Sequence, residues 1–352
     1  MKNKLHQLGA ILTALFFVGS PAMAEDAKGQ LILLAAPELD SPYYAGEVDA
    51  IIDFHIEFAK RIAAPDRVLV LAGADTVDRY EEALGSDRVT TAAMGDVWAR
   101  DFGIMDAGRN VMVRYTAAGQ IGTDAGQGDD GMGQFYADEV QEALAEFLEE
   151  SGVDFGDSDL LNDGGNWVYD GAGHAVVSTK FLADNQMSET EARAALRSLT
   201  GASEIAFVEA DDVGGLEHAD GMVSFIDDGV LLVNDYGDSP DYENKLLADL
   251  KRGLPSVAIH TIVAPYDDSN IQDERFGSAC GIYTNALVTH HAVYLPQFGV
   301  AEDAQALEAV QALTDKQVIP VPSQGVCHLG GGVRCMSSQI DLGRSGNLAE
   351  NR

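Results

Sequence analysis

The sequence predicts an α/β fold, a five-bladed α/β propeller assembled from pseudo-repeated hairpin, helix and strand units. Three observations predict it. Four segments share one pattern, in which a polar residue leads into an apolar strand, a tight turn and a second apolar strand. Segments with apolar residues at helical spacing separate them, and a short β-rich run follows each of the later helices. The combined unit recurs about every 50 to 65 residues, the kind of period that marks propellers and solenoids.

Near the amino end, Gln30 to Ala35 reads as a strand placed to close a ring against the last hairpin, Val48 to Ile62 as a helix and Arg67 to Leu71 as a strand. The first hairpin runs from Asp101 to Met105, turns at Asp106 to Arg109 and returns through Asn110 to Arg114, with a helix over Phe135 to Leu148 after it. The second pairs Asn166 to Tyr169 with His174 to Ser178, ahead of a helix at Glu189 to Leu199 and a strand at Glu204 to Val208. The third pairs Gly221 to Ile226 with Val230 to Val233, ahead of a helix at Tyr242 to Leu254 and a strand at Ser256 to Val263. The fourth pairs Asn285 to Val288 with Ala292 to Pro296, ahead of a helix at Glu302 to Leu313 and a strand at Gln317 to Val321. Asp and Gly at most of the turns supply the positive φ that tight hairpins need. Asp101, Asp163, Asp220 and Asn285 each head the first strand of a hairpin, and Cys335 holds the matching place in a fifth unit. A ring of such units turns all five towards one central pocket.

The chain has 352 residues. Lys2 and Lys4, the apolar run Leu8 to Val18 and then Ala22, Met23 and Ala24 predict a signal peptide over residues 1–24, and hence export to the periplasm or the cell exterior. No later stretch is long and apolar enough to predict a membrane span. Residues 25–345 are then the propeller domain and residues 346–352 a short tail. That length exceeds the roughly 250 to 300 residues served by a single core, which a repeat-built ring accommodates. The 57 acidic and 22 basic residues leave a net charge of -35, which repels phosphate backbones and excludes nucleic acid as a partner. The same acidity suits either a field that concentrates a cationic substrate or an adaptation to a salty habitat; its spread over the whole chain favours the second. Only three cysteines occur, Cys280, Cys327 and Cys335, and an odd number in an exported chain predicts at least one free thiol.

Five segments carry a resemblance to a known family: Trp98 to Gly103, Asp163 to Gly171, His218 to Asp220, Tyr283 to Asn285 and Gly330 to Cys335. Their order and intervals resemble the motifs of agmatine deiminases and of the Porphyromonas-type peptidylarginine deiminases, within the guanidine-modifying pentein superfamily. The resemblance covers about residues 90 to 340. It implies a five-bladed α/β propeller and hydrolysis of a guanidine without metal or other cofactor. It also implies a catalytic set of Cys335, His218, Asp220 and Asp101, with substrate held by Asp101, Asp163, Asp220, Trp98 and Asn285.

The chemistry accounts for these residue types. A guanidinium stays protonated at physiological pH and its central carbon is a poor electrophile because the charge is delocalised. Carboxylates such as Asp101 and Asp220 accept paired N–H bonds from the planar cation and fix it for attack. Cys335 attacks as thiolate and expels ammonia, and water then releases a ureido product. A thiol near its ordinary pKa of about 8.5 needs activation, which either Arg334 beside it or the bound cation supplies. His218 is the expected proton carrier, since its unperturbed pKa lies near neutrality. His218 and Asp220 also read as a metal-ligand pair, but other candidate ligands are scattered.

The sequence departs from the family at informative places. Agmatine deiminases carry a glutamate where Asp163 stands, which is one methylene shorter. The loop Tyr115 to Gln134 lacks the arginine pair with which Porphyromonas-type enzymes hold a C-terminal carboxylate, while its acids Asp124, Asp129 and Asp130 suit a second positive charge on the substrate. A small cationic guanidine such as agmatine is therefore the expected substrate, with an arginyl peptide as the alternative and the predicted export in the peptide's favour. Amidino transfer to an amine and non-catalytic binding of cations are the competing activities. Cys280 and Cys327 fall at the heads of neighbouring units, which leaves open either a disulfide between them or two small buried thiols.

Overall fold

The computed structural model describes residues 29–105, 109–116, 132–211, 215–273 and 276–341. The predicted signal peptide, the first predicted turn at residues 106–108, the acids Asp124, Asp129 and Asp130 and the carboxyl-terminal tail lie outside them. The described residues form an α/β fold of five separate sheets. Among them no helix is long and apolar enough to cross a membrane.

The first sheet joins the two ends of the chain. Strand β1 (Leu31–Ala35) lies parallel to β2 (Arg67–Ala72), which is followed by β3 (Val89–Thr91) on its outer side, while β15 (Ser337–Ile340) pairs antiparallel on the other edge of β1. The second sheet contains only β4 (Val111–Arg114) and β5 (Gly156–Leu161), parallel to each other. The other three repeat one plan, an antiparallel hairpin with a parallel strand added after a helix. They are β6 (Val168–Tyr169), β7 (His174–Ser178) and β8 (Glu204–Val208); β9 (Val223–Asp227), β10 (Val230–Asn234) and β11 (Ala258–Ile262); and β12 (Leu287–Val288), β13 (Ala292–Gln297) and β14 (Gln317–Pro322).

The helices are α1 (Val48–Arg61), α2 (Val77–Leu84), α3 (Ala99–Phe102), α4 (Met132–Glu150), α5 (Lys180–Asp184), α6 (Glu189–Thr200), α7 (Pro240–Gly253) and α8 (Glu302–Gln311). Helix α6 shows why such segments start where they do. Ser188 and Glu191 close a reciprocal capping box, and Gly201 takes a left-handed conformation just past the last turn; a cap of this kind contributes about 1 kcal/mol. Helix α7 instead begins with Pro240, whose missing N–H costs nothing at a first helical position.

The apolar interior falls into five clusters rather than one core. Phe58 and Tyr294 meet edge-on within the first of them. In the third, Leu246 and Leu250 of α7 pack on Val223, Leu231 and Val233. Division into five clusters is how a chain this long buries its apolar surface without a single thick core.

The first hairpin does not form as expected. Residues 101 and 102 complete α3, and among the described residues the backbone bond that links the two arms runs from the Met105 N–H to the Val111 carbonyl, 2.7 Å. Gly103 explains the difference: a Cβ there would sit 2.5 Å from the Ala99 carbonyl and 2.2 Å from Ser338 Oγ, so the chain is wound tightly against β15 instead of running as a paired strand.

Cys280 and Cys327 form a disulfide, with a Cα separation of 4.8 Å. Closing this 47-residue separation restricts the unfolded chain by about 4 kcal/mol on the loop-entropy account. Thiol titration of the denatured, unreduced protein is expected to return one free group per chain, Cys335. Three free groups would remove the bridge.

Candidate active site

Each candidate side chain stands just ahead of a strand or in a tight helical turn. Asp101 lies in α3, Asp163 between β5 and β6, Asp220 in the 3₁₀ turn Ala219–Gly221 ahead of β9, Asn285 ahead of β12 and Cys335 ahead of β15. These residues come from five distant parts of the chain, yet their side chains meet. His218 enters on an extended residue beside Glu217, which has a φ of 56°.

Two glycines make the approach possible. A Cβ on Gly165 would lie 2.3 Å from His218 Nδ1, and one on Gly331 would lie 2.4 Å from the Trp98 ring and 2.7 Å from the Cys335 Cβ. Any side chain at either position therefore displaces the imidazole or the thiol.

A cavity of about 320 Å³ opens at this junction. Cys335, His218 and Asp101 line it, with Trp98, Phe102, Tyr115, Phe276 and Leu329 as apolar walls and Tyr43, Tyr44 and Tyr136 beside them. Cys335 is the one free cysteine of the three. Asp163, Asp220 and Asn285 do not line the cavity but stand behind its wall. Asn285 Nδ2 donates to Cys335 Sγ at 3.0 Å, Asp220 Oδ2 lies 4.0 Å from the same sulfur, and Asp163 Oδ1 lies 3.0 Å from His218 Nε2. That last contact is short enough to pair the imidazolium with the Asp163 carboxylate. His218 Nδ1 lies 3.9 Å from Asp101 Oδ1, a buried oxygen with no hydrogen-bond partner among the described residues.

Arg334, one of the two agents expected to activate the thiol, has a different task. Its Nε donates to Asp220 Oδ2 at 3.0 Å and its Nη2 to the Trp167 carbonyl at 2.7 Å, so its charge serves Asp220 and not the sulfur. His218 and Asp220 likewise have separate partners, which argues against reading them as a metal-ligand pair.

Burial and the crowd of carboxylates set the charges. Burial pushes the Cys335 thiol well above its ordinary value, Asp220 and Asp101 push it further, and the Asn285 amide and the Gly332 backbone only partly offset them. For His218 burial disfavours the charge, but Asp163 and then Asp101 outweigh it and raise the imidazole to about 10. Asp163 stays ionised below the usual carboxylate range: burial opposes this, and His218 and Lys180 prevail. Burial lifts Asp101 to about 7 despite His218 nearby. At neutral pH the empty site thus holds a protonated thiol and an imidazolium.

Two functional neighbours escaped the sequence reading. Lys180 is buried at the start of α5, with Nζ 2.6 Å from Asp184 and 3.7 Å from Asp163. Asp96 lines the cavity and gathers Tyr44 and Tyr136 around it. Neither shows a motif of its own; only its proximity to Trp98 in sequence marks Asp96.

The sequence profile of the family described as Porphyromonas-type peptidyl-arginine deiminase matches residues 22–340. A Vibrio parahaemolyticus protein provisionally named an agmatine deiminase is 22% identical over 314 residues, 80% of this chain and 86% of that protein. Among solved structures, the agmatine deiminase of Enterococcus faecalis superposes with a TM-score of 0.69 at 21% identity, covering 89% of this chain and 94% of that one. A cysteine-to-serine variant of the C. jejuni agmatine deiminase with substrate bound superposes at 0.71 and 18% identity, covering 90% and 94%.

Proposed function

Because the chain belongs to the Porphyromonas-type peptidyl-arginine deiminase family, we propose that it hydrolyses the guanidinium of agmatine or a similar small cationic substrate to a ureido product and ammonia. The observation that carries this reading is Asp101 Oδ1, a buried acceptor without a hydrogen-bond partner, in the same cavity as a free thiol and an imidazolium. A buried acceptor left unmatched costs about 1 to 3 kcal/mol, and a guanidinium N–H placed there removes that cost.

Substrate entry also answers how the thiol ionises. A cation between Asp101 and Cys335 replaces local negative excess by a balanced pair, which lowers the cost of the thiolate that burial imposes. The thiol proton leaves to water, since His218 is already protonated, and the sulfur then bonds to the guanidinium carbon. His218, already protonated, gives its proton to the departing nitrogen, and the C–N bond breaks to release ammonia. The neutral imidazole next takes a proton from water as its oxygen attacks the same carbon; the C–S bond breaks and the ureido product leaves. Asp163 and Lys180 sit where they hold the imidazole, and Arg334 and Asn285 where they hold Asp220 and the sulfur.

Two further parts belong to the same reading. The five sheets, each bringing a residue to the cavity or to the layer behind its wall, are read as blades around a common axis, with residues 25–345 as one propeller domain. Residues 1–24 are read as an export signal, and a disulfide between Cys280 and Cys327 suits an oxidising compartment.

A panel of agmatine, free arginine, and internal and C-terminal arginyl peptides, assayed for ureido product and ammonia, tests the function. The expected result is the highest kcat/KM on agmatine. Preference for an internal arginyl peptide would move the assignment to protein citrullination, and no turnover on any of the four would overturn it.

A further inference from the structure

The charged side chains lining the cavity are, among the described residues, Asp96, Asp101 and His218. Asp101 and His218 belong to the reacting end. Asp96 does not, and its setting is unusual for a half-buried carboxylate. Every donor recorded to it is neutral: Tyr44 Oη at 2.8 Å, the Val97 N–H at 2.6 Å and the Trp98 N–H at 3.4 Å, all on Oδ1, and Tyr136 Oη at 3.3 Å on Oδ2. Tyr136 gives its shorter bond, 2.6 Å, to the Gly95 carbonyl. Oδ1 is therefore saturated and Oδ2 is left with one long contact, although a carboxylate oxygen accepts two good ones.

No Lys or Arg lines the cavity among the described residues. A substrate with a carboxylate at its far end would find no Lys or Arg to pair with and the Asp96 carboxylate to repel it. A substrate with a second positive charge would find an under-used carboxylate oxygen beside the hydroxyls of Tyr44 and Tyr136, in a cavity that these tyrosines and Trp98 also line. Asp96 and Trp98 line the same cavity as Asp101, His218 and Cys335, so a substrate gripped at its guanidinium by Asp101 has a second carboxylate within that cavity.

We propose that Asp96 is a specificity-determining residue that binds a second cationic group of the substrate, through Oδ2, and so selects linear guanidines that end in an ammonium over those that end in an alkyl group or a carboxylate. This rests on the functional reading above and extends it to the far end of the substrate.

The test compares agmatine with N-butylguanidine, which has the same guanidinium and chain without the amine. For the wild type the ratio of KM values, butylguanidine over agmatine, is expected to exceed about 30, in the range of one charge-assisted contact in a partly dry site. In Asp96→Asn, which keeps the Oδ1 acceptor for Tyr44 and the backbone, the ratio is expected to fall below about 3; in Asp96→Glu it is expected to stay above about 10. A wild-type ratio near 1 overturns the proposal whether or not the variants fold, as does an Asp96→Asn variant that weakens both substrates equally. Calorimetric binding of the two compounds to the Cys335→Ser protein needs no turnover. If the wild type turns over neither compound while this binding preference is present and lost in Cys335→Ser/Asp96→Asn, the functional reading fails and the assignment of Asp96 stands. Absence of the preference there overturns the assignment.

Discussion

Cys335→Ala is expected to lower kcat for ureido formation by at least about 10⁴-fold, equivalent to about 5 kcal/mol of barrier. On the proposed mechanism the substitution removes the nucleophilic sulfur, and no other free thiol exists to replace it, since Cys280 and Cys327 are bonded to each other. The fold should tolerate it. The lost contacts are one sulfur against Asn285 and the neighbouring carboxylate, and truncating so small a buried group costs on the order of 1 kcal/mol. Alanine also removes a thiol whose surroundings disfavour its ionisation, so substrate binding, read by calorimetry, should persist. Activity within tenfold of wild type, measured after checking for misincorporation and contaminating enzyme, would end the nucleophile assignment.

Replacing His218 by alanine is expected to cost 10² to 10⁴ in kcat, roughly 3 to 5 kcal/mol, because ammonia release needs its proton and water attack needs the neutral base that remains. The loss should be partly recoverable with added imidazole, which fits the space opened beside Gly165. A pH signature accompanies it. The imidazole is raised from about 6.5 to about 10 by Asp163 and Asp101, so the stability that its charge contributes is fully present below pH 6.5 and is lost as pH rises through about 10. Thermal unfolding of wild type and His218→Ala should accordingly differ most below pH 6.5 and converge towards pH 10. Parallel pH curves would show that the charge contributes nothing to folding.

Legibility from sequence differed by region for physical reasons. The hairpins at β6–β7, β9–β10 and β12–β13 were readable because one apolar strand, a turn and another apolar strand leave few alternatives. The strand Glu204–Val208 matches its expected bounds, whereas β1 closes against β15, beyond Cys335, and not against the fourth hairpin. Strand β5 was missed because Gly156, Asp157, Ser158 and Asp159 carry no apolar alternation; it exists because β4 offers a parallel edge at Val111–Arg114. Helix α2 was missed because its eight residues bury little beyond Tyr80.

The site divides in the same way. Cys335, His218 and Asp101 carry motifs because reaction chemistry restricts their types, and they meet on the cavity wall. Asp96 has no such restriction visible in a single chain, since the tyrosines that frame it are 52 and 40 residues away. Likewise the direction of the Arg334 side chain, towards Asp220, depends on packing between units and cannot be read from its adjacency to Cys335.

The antiparallel register that sets Leu31 against Ile340 and Leu34 against Ser337 ties the arrival of the nucleophile to the end of synthesis. Cys335 stands two residues ahead of β15, and among the described residues β15 pairs in its sheet only with β1, the first strand of those residues. A nascent chain therefore carries four of the five converging polar residues long before it carries a working pocket, and a chain that stops short of β15 leaves an open sheet edge on β1 together with an inert site. Loop closure over nearly the whole chain makes this the entropically costliest pairing of the fold. On the proposed chemistry, the site is thus completed only by the same pairing that joins the two ends of the described chain.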